Sequence, residues 1–256
     1  MSSTIGRYFE EFQSVVQHIP EASIESTVGT LFDAYLRQAQ VFIAGNGGSA
    51  AAASHLACDL QKTAGFGSAK GFRVLSLGDN IASLTAWAND EGYRSVFAEQ
   101  MSSFANEGDV LLVISCSGNS PNVVEAVRRA NELGLTSIGW IGFDGGAVRD
   151  LTSQQVHIPS YDYGIVEGAH GVLAHLVTSW LQKLIKRADQ QPQDRFASSD
   201  SLEVSERLTR VRGSSPNTEA SSTGSEASST GSESINPMTS RSKGNGNSEP
   251  RAGVPQ

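Results

Sequence analysis

The sequence predicts an α/β protein: a three-layer, doubly wound, five-stranded parallel sheet preceded by N-terminal helices. Two observations predict it. Short apolar runs of buried-strand type alternate with segments of helical periodicity, which argues for parallel strands covered on both faces. Loops rich in glycine and serine follow the first and third runs, at the strand ends where such sheets bind ligands.

Ile5, Phe9, Phe12, Val15 and Val16 recur at helical spacing, as do Ile24, Val28, Leu31, Phe32, Tyr35 and Leu36. Residues 41–44 form the first strand, which ends in Gly45-Asn46-Gly47-Gly48-Ser49. An alanine-rich helix covers 50–64, and 72–76 is the second strand. Helical patterns cover 81–88 and 95–104. The third strand, 110–114, runs into Ser115-Cys116-Ser117-Gly118-Asn119-Ser120, and its helix covers 122–133. The strands 137–141 and 155–158 follow, and a long helix over 165–186 closes the domain.

Composition changes after residue 187. Residues 188–256 are rich in Ser, Thr, Gly, Glu, Gln and Asn, and the stretch 219–225 recurs at 226–232. Such a segment cannot bury enough apolar surface to offset its ordering entropy, so a disordered tail is expected. It would be a solvated extension or a partner-binding arm, with a weak helical pattern over 201–212. The ordered part is one domain, 1–187. The net charge of −8 argues against a nucleic-acid surface, which needs a positive patch. Cys58 and Cys116 have no metal-type spacing, and a reducing compartment is the default. No segment has the ~18 apolar residues of a membrane span, nor does the N-terminus carry a leader's apolar stretch, so the cytoplasm is expected.

The glycine loop is neither GxGxxG nor a Walker loop, because the spacing and the Gly-Lys-Ser/Thr ending are missing. Alone it reads as either a turn or a ligand loop. The serine loop favours the second reading. Helix N-termini offer unpaired N–H groups and a partial positive charge, and serine hydroxyls add donors. Three serines and a second loop on the same sheet edge point to phosphate. One serine alone would read as a helix cap. His55 and Asp59 lie i,i+4 on one helix face, as either a surface pair or metal ligands.

Gly45-Asn46-Gly47-Gly48-Ser49-Ala50, Asn89-Asp90 before Gly92-Tyr93, the 115–123 segment and Asp144-Gly145-Gly146 fall in this order. Together they resemble the sugar isomerase (SIS) domain family, in its phosphoheptose isomerase branch, over residues 5–185. The resemblance implies a SIS, flavodoxin-like fold. It also implies substrate contacts at Asn46, Gly47, Gly48, Ser49, Asp59, Asn89, Asp90, Ser115, Cys116, Ser117, Ser120 and Glu167. Cys116 would contribute mostly backbone.

The resemblance further implies a zinc ion, one per subunit, on His55, Asp59, Glu167 and His175, with Asp59 and His175 as the acid–base pair. The implied reaction is isomerisation of sedoheptulose 7-phosphate to D-glycero-D-manno-heptose 7-phosphate, in a homotetramer with sites at subunit interfaces. Departures stand at Asp59, one methylene shorter than the family's glutamate, and at Glu167, an acid for an amide. Gly164 and Gly168 lack acids expected there. A non-catalytic phosphosugar-binding or regulatory protein, such as one associating with a replication initiator, is the alternative. So is a sugar-phosphate enzyme or sensor with another substrate.

Glu167 and His175 are eight residues apart, about 12 Å along one helix. One metal with bonds of ~2 Å cannot easily take both from a continuous helix. Either Glu167 precedes the helix or a ligand comes from a neighbouring subunit. His18 and His157 read as structural, and His170 as a packed residue or one that supports the site.

Overall fold

The computed structural model describes residues 3–68 and 70–190. Two helices, α1 (Thr4–Gln17) and α2 (Glu21–Arg37), precede the first strand. Then come β1 (Val41–Ala44), α3 (Gly48–Asp59), a π-helical turn (Leu60–Ala64), β2 (Val74–Ser76), α4 (Ile81–Asp90) and α5 (Val96–Ser102). The second half holds β3 (Val110–Ser115), α6 (Pro121–Glu132), β4 (Thr136–Ile141), α7 (Gly146–Leu151), β5 (Gln154–His157) and α8 (Tyr163–Gln190). Of the tail expected over 188–256, residues 191–256, including the helical pattern over 201–212, lie outside the described residues. α8 runs through Gln190, past the boundary expected at 187.

The sheet is parallel throughout, in the order β2-β1-β3-β4-β5. Val41 of β1 stands beside Val74 on one side and Val110 on the other. Strand order reverses at β1, so a crevice opens between the C-terminal ends of β1 and β3, where doubly wound sheets bind ligands. The glycine loop leaves β1 there and the serine loop leaves β3.

β1 and β3 are buried along their whole length, which is why they read as unbroken apolar runs. One core lies under α2, α3 and α8, with Val41, Ile43, Leu112, Ile114 and Trp140 facing Leu56, Leu173 and Val177. The other lies under α5, α6 and α7, with Phe42, Leu111 and Val113 facing Phe97, Val127 and Val148. α1 packs beside α8 through partly buried Phe12, Val15 and Val16, yet none of its own residues is buried.

Three local expectations change. The second strand begins at Val74 rather than 72: Phe72 is buried against Tyr35 as a core ring, with centroids 5.6 Å apart, outside the ladder. Residues 146–151 form a short helix. α8 begins at Tyr163, capped where Asp162 accepts the Ile165 N–H at 3.1 Å, so Glu167 lies inside the helix rather than before it.

Candidate active site

The crevice holds a cleft of about 240 Å³. Asn46, Gly47, Gly48 and Ser49 line it from the first loop, and Ser115, Cys116, Ser117 and Ser120 from the second. Ile114, Tyr163 and Glu167 complete it. Among these described lining residues the charged group is Glu167, with no lysine or arginine. Anion recognition there would rest on hydroxyls and on backbone N–H groups at the starts of α3 and α6.

The serine loop is built to leave that end open. Ser115 Oγ accepts the Gly118 N–H at 3.1 Å, which fixes the turn. Ser120 is the N-cap residue of α6 but makes no side-chain capping bond, and Pro121 follows at the first helical position. Ser120 lines the cleft, and its hydroxyl does not cap the helix.

The two loops are tied by a reciprocal amide pair. Asn46 Nδ2 donates to Asn122 Oδ1 at 2.8 Å, and Asn122 Nδ2 donates to Asn46 Oδ1 at 2.9 Å. Tyr93 donates its hydroxyl to the same Asn46 oxygen at 3.0 Å. Asn46 thus holds the crevice together as well as lining it. Tyr163 carries no local motif, and its place in the cleft, like the tie that Asn122 makes to Asn46, appears only once the loops meet.

Asn89 and Asp90 end α4, exposed and hydrogen-bonded to each other at 2.7 Å. The structure does not bring them to this cleft. Cys116 is buried, and burial first, then the Glu167 charge, push its thiol up to about 11. It stays a neutral wall of the cleft at physiological pH.

A second constellation lies farther along the same two helices. His55 and Asp59 project from α3 and His175 from α8, with their ligand atoms within 4.8 Å of one another. Asp59 Oδ2 stands 3.5 Å from His55 Nε2 and 3.5 Å from His175 Nδ1. The two imidazoles meet edge-on with centroids 4.8 Å apart. The shorter carboxylate therefore reaches both histidines. It sits where α3 passes into the π turn, a distortion often found beside functional groups.

Glu167 is not part of this cluster. Its carboxylate lies against Gly48, so that a Cβ at position 48 would collide with it. α3 and α8 thus run in parallel: Gly48 meets Glu167, and His55 and Asp59 meet His175. The rise along α8 keeps Glu167 and His175 about 12 Å apart.

The cluster fits a divalent cation. Bonds of about 2.0–2.1 Å in a tetrahedron set neighbouring ligand atoms roughly 3.4 Å apart, close to both 3.5 Å Asp59–His separations, while the set as a whole spans up to 4.8 Å and would draw in around an ion. Two imidazoles and a carboxylate are a donor set suited to zinc, with one position left over.

The remaining histidines line neither the cleft nor the cluster. His170 is fully buried on α8, its ring stacked on Trp140 with centroids 6.5 Å apart, and burial pushes it down to about 4. His18 holds the Ser14 carbonyl at 2.6 Å, and His157 Nε2 holds the Phe143 carbonyl at 2.8 Å.

A family model described as SIS domain matches residues 7–142. A phosphoheptose isomerase of Clostridium acetobutylicum is 34% identical over 178 residues, 70% of this chain and 84% of that one. One from Crocosphaera subtropica is 37% identical over 155 residues, 60% of this chain and 79% of that one. A solved phosphoheptose isomerase from Francisella tularensis superposes with a TM-score of 0.65 at 26% identity, covering 70% of this chain and 96% of that one.

Proposed function

The chain belongs to the SIS domain family, and from that premise we propose that it interconverts a ketose phosphate and an aldose phosphate. The substrate we assign is sedoheptulose 7-phosphate and the product D-glycero-D-manno-heptose 7-phosphate. The observation that carries the reading is the arrangement along α3 and α8. A phosphate cradle of hydroxyls and backbone N–H groups, with no lysine or arginine among its described lining residues, lies at their N-terminal ends, and a histidine–carboxylate cluster lies two to three turns on, a separation that an extended sugar chain can bridge.

The serine loop and Ser49 hold the phosphate, and that remote binding energy positions the reacting end. Asp59 and His175 form the acid–base pair. One takes a proton from C1, the carbon beside the C2 carbonyl, and returns it to C2, while the C1 hydroxyl's proton passes to the C2 oxygen, leaving an aldehyde at C1 and a hydroxyl at C2. The intervening enediolate carries negative charge until the C2 oxygen is protonated to the enediol. Glu167, at the phosphate end, accepts hydrogen bonds from sugar hydroxyls.

We assign His55, Asp59 and His175 as ligands of zinc, which when bound would supply electrostatic stabilisation of developing oxyanion charge. One chain supplies three ligands, which leaves the fourth position to water or to a neighbouring subunit. A homotetramer with sites at its interfaces agrees with the exposed apolar face of α1.

The test is turnover of sedoheptulose 7-phosphate by the full chain, with and without added zinc. His175→Ala should lose about 10²–10⁴-fold in kcat. Metal analysis should find zinc in the wild type and less in His55→Ala. Thermal stabilisation by the sugar phosphate with no turnover under any metal condition would replace this reading with a binding protein.

A further inference from the structure

Phe143 follows β4 with a φ of 49°, in the left-handed region where a bulky aromatic residue is an outlier. Such strain persists where the surroundings over-determine it, and it clusters at ligand sites. Here both peptide groups are held. The Phe143 N–H donates to the Ser160 carbonyl at 3.0 Å, and its carbonyl meets His157 Nε2 at 2.8 Å.

The held ring carries two others. Tyr161 stacks on Phe143 with centroids 5.4 Å apart and planes at 21°, and Tyr163 meets it edge-on at 4.8 Å. Phe143 packs against the core, but neither tyrosine does. Tyr161 is 73% exposed and Tyr163 61% exposed, and Tyr163 lines the cleft beside Glu167. The three rings form a continuous aromatic wall that starts inside the cleft and runs out to solvent.

We propose that this wall, through Tyr163, is the surface on which the carbon chain of the ligand rests. The proposal builds on the sugar-phosphate reading above. The serine loop recognises only the phosphate. The rest of a polyhydroxylated chain presents C–H groups as well as hydroxyls, and an aromatic face beside a few placed polar groups is the lining that holds such a ligand. Glu167 takes the hydroxyls and Tyr163 the C–H face. A ligand without a carbon chain, such as inorganic phosphate, gains nothing from the wall.

The test uses calorimetric titration of the full chain with inorganic phosphate and with sedoheptulose 7-phosphate. Tyr163→Ala should leave the phosphate Kd within about twofold and weaken the sugar phosphate by about five- to tenfold. Tyr163→Phe should keep wild-type affinity for both, because the ring does the binding. In turnover, Tyr163→Ala should raise KM more than it lowers kcat. Retained phosphate binding reports that the variant is folded. Equal loss of both ligands, loss of neither, or equal loss in Tyr163→Phe would overturn the proposal. A wild-type chain that binds phosphate but gains no affinity for the sugar phosphate would also overturn it. A wild-type chain that binds neither ligand would overturn the sugar-phosphate reading itself, and the wall with it.

Discussion

At the residue scale, Gly118 shows what the serine loop demands. Its φ is 62°, and a Cβ there would collide with the Gly145 carbonyl on the neighbouring loop. An alanine adds both left-handed strain and a clash with backbone that cannot swing away. Gly118→Ala should lower stability by more than about 2 kcal/mol, measured by urea unfolding. It should also weaken inorganic phosphate, because Ser117 and Ser120 flank the displaced peptide. The two cysteines differ as sharply. Cys58 is exposed, whereas Cys116 is buried with its thiol raised to about 11. A disulfide-type thiol reagent at pH 8 should titrate one thiol in the native chain and both in denaturant. Two fast thiols in the native chain would contradict the neutral wall assigned to Cys116.

At the element scale, α8 is pressed against β4 and α1 by residues whose local pattern hides their purpose. Gly168 admits the Phe12 ring, which a Cβ there would meet at 3.0 Å, so the position at which an acid was expected is a contact with α1. His170 fills the space over Trp140. Its folded pKa is about 4 against an ordinary 6.5, because burial disfavours the imidazolium. As pH falls, the unfolded chain takes up this proton before the folded one does. The stability of the neutral packed ring is therefore whole above about pH 6.5 and is lost progressively toward pH 4. The loss amounts to roughly 3 kcal/mol over that window. Urea midpoints measured across it should fall in the wild type, and His170→Leu should remove this part of the slope. A wild-type curve flat between pH 6.5 and 4.5 would refute the assignment.

At the scale of the whole molecule, legibility followed the range of the interactions involved. Strands buried on both faces announce themselves as apolar runs, and His55 and Asp59 pair along one helix at a spacing any reader can see. The approach of His175 depends on α3 and α8 packing in parallel, which no local period encodes; only the family resemblance pointed to it. The same parallel packing separates Glu167 from the cluster and gives it to the cleft. Tyr163 stayed hidden because its role depends on a strained residue twenty positions earlier. The apolar face of α1 remains to be accounted for. Ile5 and Phe9 are 69% and 64% exposed, on a helix with no buried residue. Val172 and Leu176, on α8, are also exposed. In the homotetramer proposed above these side chains would leave water, and a neighbour would supply the fourth ligand position beside His175. Sedimentation velocity should then show a tetramer at micromolar concentration, and an Ile5→Glu, Phe9→Glu double variant should shift it to smaller species. If a neighbouring subunit completes the site, activity per chain should fall with the tetramer fraction on dilution. A smaller species with full activity would leave the cluster sufficient within one chain and refute the shared site.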